Sequence, residues 1–203
     1  MEESIERDLW VKIRLDWNYH SSNMEGIDLT FQETQQLMLK GGEISGKKIK
    51  DCDQVKGHDD AIEEIKCHIK ESGEFTEHFI RGLHKVLLKE EYYNPAKTAD
   101  GKPTQKRVVL GEYKSVPNDV ETNDGLFRFA SPEETKILMQ ELVDWCKKEM
   151  MDGKNHPLRV ASEFHYRFVR IHPFDDGNGR MTRLLSNYIL MYFYYPPIII
   201  ETN

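Results

Sequence analysis

No apolar run approaches the roughly 18 residues a membrane-spanning helix needs, so the chain is not expected to meet a bilayer. Met1 leads into acidic residues and not into a basic and apolar leader, so no secretory signal is expected and the expected compartment is the cytoplasm. Cysteine is scarce. Cys52, Cys67 and Cys146 show no Cys-x-x-Cys spacing, which argues against a disulfide framework and a zinc site and leaves free thiols suited to a reducing compartment. Positive charge is in deficit, at 28 Lys and Arg against 35 Asp and Glu. A net charge of −7 repels polyanions over most of the surface, so nucleic acid is not an expected partner. What remains is ordinary for one soluble domain with a short N-terminal appendage: 38% hydrophobic and 31% charged residues in a chain of 203.

Most of the chain has helical periodicity. A helix is predicted from Glu2 to about His20, with Ile5, Leu9, Lys12 and Leu15 or Trp17 marking an imperfect apolar stripe, followed by Ser21-Ser22-Asn23-Met24-Glu25-Gly26 as a glycine-capped end. Thr30-Phe31-Gln32-Glu33 is a capping box, starting a helix that Gly41-Gly42 ends near Lys40. A longer helix is predicted from about Asp53 to Glu71, with Val55, Ala61, Ile62, Ile65 and Ile69 inward. His58 and His68 lie on it without carboxylate partners at ligand spacing and are expected at the surface. Thr76 caps a helix with Phe79, Ile80 and Leu83 inward. Ser131-Pro132-Glu133-Glu134 opens another that Asp152-Gly153 closes.

Between residues 90 and 129 that period is lost. Asn94-Pro95, Asp100-Gly101, Pro117-Asn118 and Asp124-Gly125 break the segment into turns. Residues 107–113 and 114–116 have strand character, which Pro117 confines to a sheet edge, so a surface hairpin containing Leu110, Gly111, Glu112 and Tyr113 is expected.

The chemistry is concentrated in residues 172–183. A helix starting at Pro157 buries Val160, Ala161, Phe164, Phe168 and Ile171, and Pro173 stops it at His172. The next helix starts near Asn178. Gly177, Asn178 and Gly179 therefore fall at a helix N-terminus, where free N–H groups and the helix dipole attract an anion. Arg180 and Arg183, three residues apart, share a helix face and are suited to phosphate. Asp176 is a hard oxygen ligand for a Mg²⁺ bridging phosphate oxygens, and His172 is a base suited to neutral pH. A base, a metal ligand, an anion nest and two arginines in one turn point to phosphate transfer and not to simple binding.

His172, Phe174, Asp176, Gly177, Asn178, Gly179, Arg180 and Arg183 fill every fixed position of the Fic motif, and the chain resembles that family over most of its length. The resemblance implies a mostly α fold, a Fic-type helical bundle with a small β-hairpin flap. It also implies Mg²⁺-dependent transfer of AMP from ATP to a Ser, Thr or Tyr hydroxyl of a protein, self-modification included. His172 would then be the base, Asp176 the metal ligand, and Gly177 and Gly179 part of the anion hole. Asn178 would contact phosphate, Arg180 and Arg183 would clamp the β- and γ-phosphates, and Phe174 would anchor the loop.

Ser21, Glu25 and Gly26 resemble the family's inhibitory motif, which makes residues 1–30 an inhibitory segment and 31–203 the core. The segment holding Leu110, Gly111, Glu112 and Tyr113 falls where the family has the flap that grips a target's backbone by strand addition. The family usually continues with a further helix that closes the adenine pocket, so the chain is expected to be cut short after Asn203. Removal of AMP, transfer of phosphate or phosphocholine, and a locked ATP-sensing interaction module remain as alternatives.

Overall fold

Both capping boxes form. Thr30 and Ser131 accept from the backbone N–H of Glu33 and Glu134, whose carboxylates return to the capping residues, and these contacts fix the starts of two of the seven helices among the described residues. The structure is a computed structural model describing residues 2–98, 101–122 and 125–202. Asp100 and Asp124, the first residues of two predicted turns, lie outside the described residues.

The helices are α1 (Glu2–Asn23), α2 (Phe31–Lys40), α3 (Ile49–Lys70), α4 (Glu77–Leu88), α5 (Pro132–Asp152), α6 (Pro157–Ile171) and α7 (Asn178–Tyr192). Between α4 and α5 lie two separate antiparallel hairpins, β1 (Tyr92–Lys97) with β2 (Pro103–Val108), and β3 (Val120–Thr122) with β4 (Gly125–Phe127). Tyr92 stands opposite Val108 and Lys97 opposite Pro103. Helices α6 and α7 pack on each other, α3 on α4, and α1 on α3 and α7. One core joins Trp17 of α1 to Ile62, Leu83, Leu142, Phe164, Phe168, Phe174 and Tyr188. The α3–α4 approach depends on Gly57, where a Cβ would stand 2.1 Å from the Leu87 carbonyl oxygen. No described helix is long and apolar enough to cross a membrane.

Four sequence expectations need correction. Helix α3 begins at Ile49 and not near Asp53, because Cys52 and Val55 are buried in a satellite cluster with Ile27, Leu29, Leu37 and Ile44 that the first turn must reach. His58 is buried, not exposed, its Nδ1 paired with Asn18 Oδ1 at 2.8 Å, and His68 stacks on Phe79 at 3.8 Å. Ile5 and Leu9 of α1 are exposed while Leu15 and Trp17 are buried, so only the C-terminal half of the predicted stripe meets the core.

The fourth correction concerns the hairpin. The first hairpin ends at Val108, and Leu110, Gly111, Glu112 and Tyr113 form a turn pinned to α4. The Gly111 N–H donates to His84 Nδ1 at 2.9 Å and its carbonyl accepts from Arg81 Nε at 2.5 Å. Arg81 also pairs with Glu112, and the Tyr113 hydroxyl donates to Glu77. Gly111, at φ +69°, makes the bend, so its backbone groups are spent within the fold and offer no free edge.

Candidate active site

Helix α6 stops where Pro173 requires it. His172 takes the left-handed conformation, φ 52° and ψ 60°, and its N–H still reaches Phe168 O at 2.9 Å. For a residue with a Cβ this costs about 1–2 kcal/mol, so its surroundings must hold it there. Two residues supply that hold. Lys114 donates through Nζ to Ile171 O at 3.0 Å and through its backbone N–H to Pro173 O at 2.8 Å. Asn118 Nδ2 donates to His172 O at 3.1 Å and Phe174 O at 2.9 Å, and its Oδ1 accepts from Lys114 Nζ at 2.8 Å. Each carbonyl from residue 171 to 174 thus has a donor from position 114 or 118.

Asn178 closes the loop from inside: its Oδ1 accepts from Phe174 N–H at 2.9 Å and its Nδ2 donates to Phe174 O at 2.8 Å. That side chain is committed to the loop, so any phosphate contact of Asn178 falls to its backbone N–H. Phe174 is fully buried and stacked on His84, with ring centroids 3.9 Å apart. Because His84 Nδ1 accepts from Gly111, its Nε2 carries the proton and donates to Asp176 O at 3.1 Å. Burial, aided by the Arg180 charge, holds the His84 pKa down to about 4 and keeps that ring neutral.

His172 Nδ1 is buried and turned to the Val169 carbonyl, which leaves Nε2 as the nitrogen that meets the cleft, while Phe129 stacks on the ring at 3.9 Å. Burial, followed by the Lys114 charge, lowers its pKa to about 4 against the opposing pull of the Val169 carbonyl, Asp176 and Glu25. Near pH 7 the ring is therefore neutral and able to accept a proton.

Asp176 stands in the site as an ionised carboxylate. Burial opposes its charge, but hydrogen bonds from Tyr92 and Asn94, the Arg180 guanidinium and the Gly177 N–H together hold its pKa below the ordinary carboxylate value. Oδ2 accepts from Tyr92 at 2.5 Å and Asn94 at 2.8 Å, and Oδ1 accepts from Gly177 N–H at 2.6 Å. One lone pair of Oδ1 remains. No group of three or more candidate metal-ligating side chains occurs among the described residues. A Mg²⁺ commonly binds through one carboxylate together with substrate phosphates and water, and a single anionic Asp176 with a spare lone pair fits that pattern.

Gly177, at φ +76°, caps α7 and turns the first N–H groups of that helix toward the cleft. Over them lies a carboxylate: a Cβ on Gly179 would stand 2.4 Å from Glu25 Oε1. Arg183 holds that carboxylate through Nη2 at 2.6 Å and also grips Ser21, Nε to Oγ and Nη2 to O, both at 2.9 Å. Gly26, at φ +78°, completes the bend that lets Glu25 reach back. Arg180 points inward, 1% exposed, toward Gln54 Oε1 at 3.3 Å, with its Nη2 3.9 Å from Asp176. His172, Asp176, Gly177, Gly179, Arg183, Ser21 and Glu25 thus converge, and residues 110–113 stay outside.

Sequence reasoning missed Lys114, Asn118, His84, Gln54, Tyr92, Asn94 and Lys106, the last ion-paired with Asp175 at 2.7 Å. Asn94 and Asn118 stood inside predicted turns, the one signal that side-chain capping was at work there. The rest carry no local pattern.

The chain matches the Fic/DOC family over residues 74–190. It is 32% identical over 182 residues to the protein adenylyltransferase Fic of Drosophila willistoni, which covers 90% of this chain and 33% of that one, so the chain spans about a third of that relative. A crystal structure of a Fic domain containing signaling protein from Bacteroides thetaiotaomicron superposes with a TM-score of 0.87 at 38% identity, covering 99% of this chain and 70% of that one. The structure of IbpAFic2 covalently tethered to Cdc42 matches with a TM-score of 0.54 at 25% identity, over 74% of this chain and 44% of that one. With a family match over more than half its residues and a relative's identity running through nine tenths of it, the chain belongs to the Fic/DOC family.

Proposed function

We infer that the chain is a protein adenylyltransferase, moving AMP from ATP onto a Ser, Thr or Tyr hydroxyl of a protein. The observation that carries this reading is a neutral His172 opening on the same cleft as the anion-binding N-terminus of α7. The hydroxyl oxygen bonds the α-phosphorus, its proton passes to His172 Nε2, and the bond to the bridging oxygen breaks to release pyrophosphate. Positioning and charge neutralisation by the Gly177 and Gly179 region and Arg183 supply most of the barrier lowering, with the inward-turned Arg180 acting through its charge beside Asp176 and not as the phosphate clamp that the resemblance implied. Proton transfer to His172 adds about 10²–10⁴-fold. Asp176 would hold the Mg²⁺, whose chemistry is to neutralise charge on the phosphates. A protein as acceptor is supported by the relative tethered to Cdc42. The exposed β1–β2 hairpin, in contact with the loop through Tyr92, Asn94 and Lys106, is better placed than residues 110–113 to take a target strand.

In this reading residues 1–30 form an inhibitory segment on a core of residues 31–203. The Glu25 carboxylate above Gly179, paired with Arg183, occupies the place the γ-phosphate needs. ATP then enters with its α-phosphorus misaligned. The same contact favours a second reading, an ATP-sensing module locked by Glu25. Labelled ATP separates them. Glu25→Gly should transfer α-label to protein about tenfold or more faster than the unmodified chain, and Glu25→Gly with His172→Ala should transfer none. Transfer of γ-label would instead mean phosphorylation, and no transfer from Glu25→Gly would leave the sensor.

A further inference from the structure

Beside His172, on the face of α6 turned toward the start of α5, lies a groove of about 380 Å³ that the proposed reaction does not use. It is lined by Arg128, Arg167 and Arg170 together with Phe129, Tyr166 and Ile171. None of the three arginines has an ion-pair partner among the described residues, in a chain whose net charge is −7. Glu134 lines the rim, but its carboxylate is engaged with the Ser131 N–H at 2.8 Å. Two guanidinium groups lie over aromatic rings: Arg167 Cζ is 5.0 Å from the Trp145 centroid and Arg170 Cζ 5.0 Å from that of Phe127. A guanidinium held over a ring by cation–π attraction can still offer N–H donors to a carboxylate and has already lost part of its rotamer freedom.

The groove is continuous with the base. Phe129 stacks on the His172 ring and lines the groove, and Ile171 immediately precedes His172. Measured along the α6 axis alone, Arg170 and Arg167 stand about 3 Å and 7.5 Å of helical rise before His172. An extended peptide covers about 3.3 Å per residue, so a carboxylate one to three positions from a hydroxyl at His172 would reach these arginines.

Resting on the adenylyltransferase reading, we propose that this groove binds the target protein through an acidic segment, with Asp or Glu within about three residues of the modified hydroxyl. Arginines without internal partners, in an otherwise acidic molecule, make a local positive field that draws in such a segment and rejects a basic one. The surface therefore sets which hydroxyl, among many, is presented to the base.

The test uses three labelled synthetic peptides with a central Thr flanked by Glu, by Ala or by Lys, titrated with the full chain by fluorescence anisotropy. The Glu peptide should bind about tenfold tighter than the Ala peptide and weaken as salt rises. Arg167→Glu with Arg170→Glu should reverse the preference toward the Lys peptide, with helical circular dichroism retained. If that double variant misfolds, Arg170→Gln alone, at an exposed position, should still lower Glu-peptide affinity. Equal binding of the three peptides, or a preference unchanged by charge reversal, overturns the proposal. So does tighter binding of a single-stranded oligonucleotide that competes with the Glu peptide. Transfer of α-label is followed separately: transfer without peptide discrimination sinks the groove alone, and discrimination without transfer sinks the reaction while the docking surface stands.

Discussion

Lys114 meets His172 twice, through its charge and through its hold on the Ile171 carbonyl. Lys114→Met removes both. Losing the donor to a buried carbonyl costs about 1–3 kcal/mol. Losing the charge lets the His172 pKa climb from about 4 toward its ordinary value, so the acid limb of the kcat/KM profile should move up in pH. Lys114→Arg, which keeps the charge, should leave that limb low; a limb that stays put in Lys114→Met would show that the charge does not act on His172. The base and the nest were legible in the sequence because they are contiguous, each residue's role following from its offset to a helix end. Their supports were not: Asn118 reaches His172 across 54 positions and His84 reaches Asp176 across 92, spacings at which no periodicity survives. The inward turn of Arg180 was equally hidden, since helical spacing assigns a face without saying that Gln54 of α3 lies against it.

The seven helices of the described residues follow from their apolar spacing and, for α2, α4 and α5, from their side-chain caps, with the start of α3 the exception, while the strands between them were misplaced for a traceable reason. Val108 and Val109 gave residues 107–113 a strand-like composition, but Gly111 bends the chain there and α4 takes up its hydrogen-bonding groups, so pairing falls to the less apolar Tyr92–Lys97 and Pro103–Val108. The closeness of α3 to α4 gives the prediction at this scale. Gly57→Ala would place a methyl group 2.1 Å from Leu87 O, a backbone atom that cannot rotate away. The helices must part, which should cost about 1–3 kcal/mol despite the better helix propensity of Ala. Urea unfolding measures this, and a variant as stable as the original would mean that α4 shifts freely. Because α4 carries His84 beneath Phe174, the same change should slow transfer.

The whole molecule carries a pH signature in its buried imidazoles. Burial depresses the pKa of His58, His84 and His172 below the ordinary value, with His84 and His172 down to about 4. In the unfolded chain these groups titrate near 6.5, so between pH 6.5 and 4 the unfolded state binds more protons and stability falls as pH falls. Each contributes up to about 1.4 kcal/mol per pH unit across that window. The Tm should be level above pH 7 and drop from pH 6.5 to 5, and a Tm that rises on acidification would contradict the burial of these rings. Over the same range transfer by the folded fraction should persist, because His172 stays unprotonated there.

One contact joins parts of the chain 158 positions apart, the Arg183 grip on Glu25. A link of that span exists only while α1 is docked, and the first half of α1 is largely exposed, with Ile5 and Leu9 facing solvent. A nucleotide that takes Arg183 for itself therefore removes a tether from α1 while adding contacts to the start of α7. Nucleotide bound through Arg183 should tighten one end of the molecule and loosen the other, with amide exchange slowing around residues 172–183 and quickening along α1.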